Sequence, residues 1–259
     1  MNKKYVILID IDGTLTQEGS KNVSEKVLDS IIKAKQKGHI LSIATGRSFR
    51  TSQWIMGSEY FNYISCLMGN VIYNNDKKMI EYENTDCLNA EYVRPLIQYF
   101  MAQTHGLWTY KNDLEDKTTQ LLLPNENRFN AKTVDKTEVE KDIARNKIFQ
   151  LLATDDMITP EIISKYDKLD FIQMTGNYYD ILKKGQSKKN IVDYFKKRYP
   201  DYTIVGIGDS NNDYGMLTSC DVSIAMENSS EDIKSISDFV TKDVDNDGVS
   251  YAITDILKI

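Results

Sequence analysis

Two carboxylates, Asp10 and Asp12, close an apolar run and stand just before a glycine. Residues 6–9 read Val-Ile-Leu-Ile, a short β-branched run that fits a strand buried on both faces of a parallel sheet. With extended geometry the two acids leave the same side of the backbone, at the carboxyl end of the strand, where open α/β sheets bind ligands. Such a pair can share a hard cation or divide nucleophilic and acid/base work. Gly13 lets the backbone approach a ligand closely. An Asp-Gly-Thr turn whose side chains satisfy local amides would explain one Asp, but not the whole string.

Other chemistry is scarce. His39 and His105 are the only histidines and cannot build a histidine metal site. Cys66, Cys87 and Cys220 form no CxxC pair, which fits reduced thiols in a cytoplasmic protein. Asp243, Asp245, Asp247 and Gly248 match the opening of a calcium loop, yet its twelfth position is Thr254 and not Glu. Gly206-Ile207-Gly208 lacks the third glycine of a dinucleotide turn. Over 259 residues the net charge of −6 argues against a nucleic-acid partner. No segment approaches the ~20 apolar residues needed to cross a bilayer.

The elements that must position the acids alternate at both ends of the chain. Residues 24–37 are an amphipathic helix with Ser24 as N-cap, residues 39–44 a strand ending at Thr45-Gly46-Arg47, and a helix is expected from there towards Met56. A third strand spans 63–67, and 71–73 with 79–82 form a hairpin. From 83 to 184 helices and strands come in mixed order, including a hairpin of 170–175 with 178–182 across Gly176-Asn177. Alternation returns with a helix at 187–198, a strand at 203–207, the string Gly208 to Asp213, a strand at 222–225 and helices at 231–236 and 249–257. The expectation is a doubly wound, Rossmann-like α/β core in two parts, 1–82 and 185–259, with an inserted α+β cap over 83–184.

The strings DIDGTL (10–15 follow the strand), IATGR around Thr45, KKGQSKKNI around Lys188 and GDSNNDYGML from Gly208 resemble the four motifs of the haloacid dehalogenase superfamily, Cof-like phosphatase branch. The resemblance implies a magnesium-dependent phosphatase of small phosphorylated metabolites, sugar phosphates or phosphorylated cofactors. It makes Asp10 the nucleophile and Asp12 the general acid/base. It assigns Mg2+ to Asp10, the main-chain carbonyl of Asp12, and Asp209, with Asp213 supporting the metal shell or Lys188. Thr45, Gly46, Lys188 and Asn212 then contact phosphate, and Arg47 either reaches substrate or caps a helix. Two positions depart from the pattern. Glu227 stands where a glycine is usual in Ala225-Met226-Glu227-Asn228-Ser229, and Lys189 follows Lys188 where a glycine is usual.

A phosphomutase would keep the same aspartyl phosphate chemistry. A signalling receiver also combines Asp, Thr, Lys and magnesium on a doubly wound sheet, but the length of the chain and a second carboxylate aimed at the leaving group argue against it.

Overall fold

The structure, a computed structural model, describes residues 3–56, 58–103, 105–112, 115–119, 131–145, 147–174 and 177–259. Its strands among these residues are, in chain order, β1 (Tyr5–Ile9), β2 (Ile40–Ala44), β3 (Tyr63–Cys66), β4 (Val71–Asn74), β5 (Met79–Glu83), β6 (Trp108–Lys111), β7 (Asp116–Thr118), β8 (Lys132–Thr133), β9 (Gln150–Thr154), β10 (Leu169–Met174), β11 (Tyr178–Lys183), β12 (Thr203–Gly208), β13 (Val222–Ala225) and β14 (Phe239–Val240). They form two sheets in two compact units. The first unit holds Met1–Gly46, Ser52–Glu83 and Ser187–Ile259, the second Arg47–Thr51 and Asn84–Gln186.

In the first unit the strand order is β14-β13-β12-β1-β2-β3-β4-β5, parallel from β14 to β3 and antiparallel in the last two pairings. The order runs outward in both directions from β1, as a doubly wound sheet requires. Val6, Ile7, Leu8 and Ile9 are fully buried. Each contributes about 1.5–3 kcal/mol of apolar burial, which anchors the strand whose next residue is a carboxylate. The helix Glu25–Gln36 begins where Ser24 accepts a hydrogen bond from the Val27 amide, and it buries Val27, Ile31 and Ala34. Lys189–Arg198 buries Ile191, Val192 and Phe195 in a cluster with Val6, Leu8 and Ile204.

The second unit is α+β: a mixed sheet of order β10-β11-β9-β6-β7-β8 with helices Ala90–Ala102, Lys136–Ala144 and Pro160–Lys165. Trp108, Tyr110, Leu151, Ala153 and Ile181 from one face of that sheet share a core with Val93, Ile97, Phe100, Val139 and Ile143 from the helices.

Three expectations need correction or completion. The helix expected after Arg47 is only a 3-10 turn at Arg50–Ser52. Ser48 and Thr51 hydroxyls bond to each other at 3.0 Å, and the Thr51 hydroxyl donates to the Ser48 carbonyl, so side chains compete with helix propagation. The last helix begins one residue early and turns π-helical over Ala252–Ile256. In the hairpin of β10 and β11, Asn177 is left-handed (φ 64°), while Thr175 and Gly176 lie outside the described residues. Among the described residues no helix is long and apolar enough to cross a membrane.

Candidate active site

Register in the first sheet explains why distant residues meet. Ile9 of β1 lies opposite Ile207 of β12 and Ile43 of β2, all parallel, so the chain leaves three neighbouring strands at one edge. Asp10 follows β1, Thr45 follows β2 and Asp209 follows β12.

The centre of the cluster is Lys188, fully buried, whose Nζ stands 2.7 Å from Asp10 Oδ1 and donates to Asp213 Oδ1 at 2.7 Å. Asp213 is also fully buried and fully engaged, for its Oδ2 accepts from the amides of Asp209 and Ser210, both at 3.0 Å. Gly208 makes room for it, since a Cβ there would collide with the Asp213 side chain. Asp209 accepts from the Thr14 hydroxyl at 2.7 Å. Gly13, at φ 79°, is left-handed, and a Cβ on it would fall into the Asp209 carboxylate. Only glycine serves there on both counts.

Charge in this cluster is unbalanced. Asp10, Asp209 and Asp213 bring oxygens within 4.8 Å of one another, against one ammonium. Burial, then Asp213, pushes the Asp10 carboxyl up to about 7 in spite of Lys188. Burial, Asp213 and Asp10 push Asp209 up to about 8, against the Thr14 hydrogen bond. Burial works against the charge of Lys188, but Asp10 and Asp213 outweigh it and hold the proton more firmly than usual. Two elevated carboxyls beside one cation amount to a demand for further positive charge. Hard oxygen donors in this number suit a divalent cation such as magnesium, with Asp10 and Asp209 as the side chains available, since Asp213 is spent on Lys188 and two amides.

The other candidates are distributed as follows. Asp12 is half-buried, and its Oδ1 accepts from the Gly19 amide at 3.2 Å. Thr45 is buried, and its carbonyl accepts from the Met68 amide at 3.1 Å. A Cβ on Gly46 would come within 4.0 Å of Asn212 Nδ2, so these two are neighbours, and Asn212 Oδ1 accepts from the Ser210 hydroxyl at 3.0 Å. Arg47 belongs to the second unit, where its charge acts on Asp116. Lys189 pairs with Asp193 at 2.6 Å, one turn along an exposed helix face, whereas Lys188 points inward. The loop of Asp243, Asp245 and Asp247 is spent on hydrogen bonds to Asn246, Gln17 and Ser24.

Three supports escaped the sequence reading. Thr14 orients Asp209, and it was visible as the threonine of the first motif. Asn228 donates to the Gly13 carbonyl at 2.9 Å and accepts from the Val244 amide, pinning the glycine turn. Leu67, Met68 and Gly69 are consecutive left-handed residues (φ 53°, 56° and 84°) beneath Thr45 and Gly46. Of these last three residues only the glycine gave any signal.

Comparison with known proteins bears on this arrangement. Residues 7–253 match the family profile of the haloacid dehalogenase-like hydrolases. YkrA of Bacillus subtilis, provisionally named a phosphatase, is 28% identical over 258 residues, 97% of each chain. YitU of the same organism, a 5-amino-6-(5-phospho-D-ribitylamino)uracil phosphatase, is 24% identical over 273 residues, 96% of each chain. The solved structure of BT1666 from Bacteroides thetaiotaomicron, described among phosphatases of the superfamily, superposes with a TM-score of 0.80 at 24% identity, over 99% of this chain and 96% of that one. The chain therefore belongs to the haloacid dehalogenase-like hydrolases, within their phosphatases.

Proposed function

We propose that the protein hydrolyses phosphate monoesters of small metabolites, sugar phosphates or phosphorylated cofactors, through a phosphorylated Asp10 and with magnesium. The observation that carries this reading is the buried Lys188 held between Asp10 and Asp213 beside an uncompensated Asp209. A phosphoryl group is anionic, and a site that attacks it with a carboxylate must supply positive charge.

Asp10 attacks phosphorus with one carboxylate oxygen, a P–O bond forms on Asp10, and the ester P–O bond breaks. Asp12 gives its proton to the departing oxygen. Water then attacks phosphorus, Asp12 takes back a proton, and Asp10 is freed as a carboxylate with inorganic phosphate released. Lys188 neutralises phosphoryl charge, and the Thr45 hydroxyl, the Gly46 amide and the Asn212 side chain bind the phosphoryl oxygens. Asp10, Asp209 and the main-chain carbonyl of Asp12 would hold the magnesium ion, which would supply charge that keeps both carboxylates ionised and offsets that of the phosphoryl group. The second unit acts as the cap that recognises the leaving group. YitU, whose name specifies a phosphorylated ribityl compound, supports this substrate range. Cys66, Cys87 and Cys220 form no disulfide, which fits a reducing, cytoplasmic setting.

A panel of phosphorylated metabolites assayed for phosphate release tests the reading. Release from at least one should stop on chelation and return with added magnesium; a rate indifferent to EDTA would contradict the metal assignment.

A further inference from the structure

The segment that follows β13 is stitched into the first unit on three sides. The Met226 amide donates to the Gly208 carbonyl at 3.0 Å, just before Asp209. The Glu227 amide donates to the Lys242 carbonyl at 3.5 Å, beyond β14. Asn228 Nδ2 donates to the Gly13 carbonyl at 2.9 Å, 215 residues away and just after Asp12, while its Oδ1 accepts from the Val244 amide at 3.2 Å. Residues 226–228 therefore bridge the two loops that carry Asp12 and Asp209, and every residue of this bridge belongs to the first unit.

The turn that Asn228 touches is held in part by its own residues. The amides of Thr14, Leu15 and Thr16 converge on the Ile11 carbonyl, at 3.3, 2.9 and 2.9 Å, and the Gly13 amide donates to the Thr16 carbonyl at 2.8 Å. A trans peptide is planar, with its C=O directed away from its N–H, so this last bond turns the Asp12 carbonyl away from Thr16. The next peptide joins the Gly13 carbonyl to the Thr14 amide. Its amide end makes the longest of these bonds, and its carbonyl end is held from outside the turn, by Asn228. Between the two peptides lies Gly13, left-handed at φ 79°, and glycine has the most backbone freedom to lose. Without Asn228 the backbone angles of Gly13 can drift, and the Asp12–Gly13 peptide rests on a single hydrogen bond.

A carboxamide suits this task. The side chain must donate to one carbonyl and accept from one amide at once, and an amide does both without charge. A carboxylate has no proton to donate to Gly13, and it would add a fourth acid beside Asp10, Asp209 and Asp213.

We infer that Asn228 is a positioning residue for the cation site, holding the Gly13 peptide so that the Asp12 carbonyl is aimed at the ion that Asp10 and Asp209 would hold. This rests on the phosphatase reading above and its metal assignment. Mn2+ stands in for magnesium in the test, because its free ion is counted by electron paramagnetic resonance and binding is then read without turnover. Asn228 is exposed, so Asn228→Ala leaves the core intact. Its Mn2+ affinity should fall about tenfold, the lower end of what the loss of a metal ligand's hydrogen-bond partner costs. The magnesium needed for half-maximal phosphate release from an aryl phosphate should rise by a similar factor. Thr241→Val is the control, since the Thr241 hydroxyl donates to the Gly248 carbonyl at 2.6 Å in the same neighbourhood without touching Gly13. It should lower Tm and leave Mn2+ affinity as in wild type. Unchanged affinity in Asn228→Ala, or an equal loss in Thr241→Val, would overturn this inference alone. A wild type that binds no Mn2+, or that releases no phosphate from an aryl phosphate, would overturn the metal or the phosphatase reading and this inference with it.

Discussion

Lys188 in the first unit and Lys117 in the second are both buried ammonium groups held by two acids, and their surroundings differ in what is left over. Lys117, on the helix side of its sheet, donates to Glu138 at 2.8 Å and to Asp142 at 2.9 Å, and Tyr110 also donates to Asp142 at 3.1 Å. That network satisfies the ammonium with two hydrogen bonds and ties the helix Lys136–Ala144 to the sheet. Burial opposes the charge of Lys117, but the two acids hold its proton more firmly than usual. Around Lys188 a third carboxylate remains, and two carboxyls are pushed far up. A closed network stabilises a fold, whereas an open one is paid for by the rest of the fold and signals a ligand.

The comparison predicts different damage when each network is cut. Asp10→Asn should abolish phosphate release and leave Tm near that of wild type, because an amide keeps the shape and relieves a charge that burial disfavours. Full activity in this variant would sink the mechanism. Asp142→Ala should instead cost stability, about 3–5 kcal/mol, the usual loss when one partner of a buried pair is removed, measured by denaturant unfolding. A loss below about 1 kcal/mol would mean that Lys117 finds another partner.

A surface contrast gives the smallest effect. Burial disfavours the charge of Glu81, but hydrogen bonds from Asn74, Arg198, Tyr194 and Lys77 hold its carboxyl down at about 2. A depressed carboxyl contributes stability that is fully present above its unfolded value near 4.5 and is lost as pH falls towards 2. Glu81→Gln should therefore lower stability at pH 7 and flatten its decline between pH 4.5 and 2. Parallel pH profiles for variant and wild type would show that Glu81 is not the linked group.

Legibility followed the same division. The first unit could be read because its chemistry sits at strand ends in contiguous strings: Asp10 after β1, Thr45 after β2, Asp209 after β12. The alternation of apolar strand and amphipathic helix fixed their common edge. What was missed there acts through backbone geometry, as with the left-handed Leu67 and Met68, or through one long-range side chain, as with Asn228. In the second unit the informative residues are Tyr110, Lys117, Glu138 and Asp142, spread over two strands and a helix. No local string joins them, and only sheet register sets Tyr110 opposite Lys117. Arg47 illustrates the limit, since it stands in a core motif yet packs with the second unit, and the helix expected after it is displaced by the hydroxyls of Ser48 and Thr51.

The most direct test of the central claim, that Asp10 carries the phosphoryl group and Asp12 moves the protons, is a burst experiment on Asp12→Ala with an aryl phosphate. General acid/base catalysis is worth roughly 10²–10⁴ in rate, so steady turnover should fall by that factor. An aryl alcohol needs little protonation to leave, so the first half-reaction should still proceed and give an initial burst with phosphate retained on Asp10. Hydrolysis of that intermediate should then limit the rate. A wild type that accumulates a long-lived phosphoprotein without turnover, or an Asp12→Ala variant that turns over at the wild-type rate, would contradict the account.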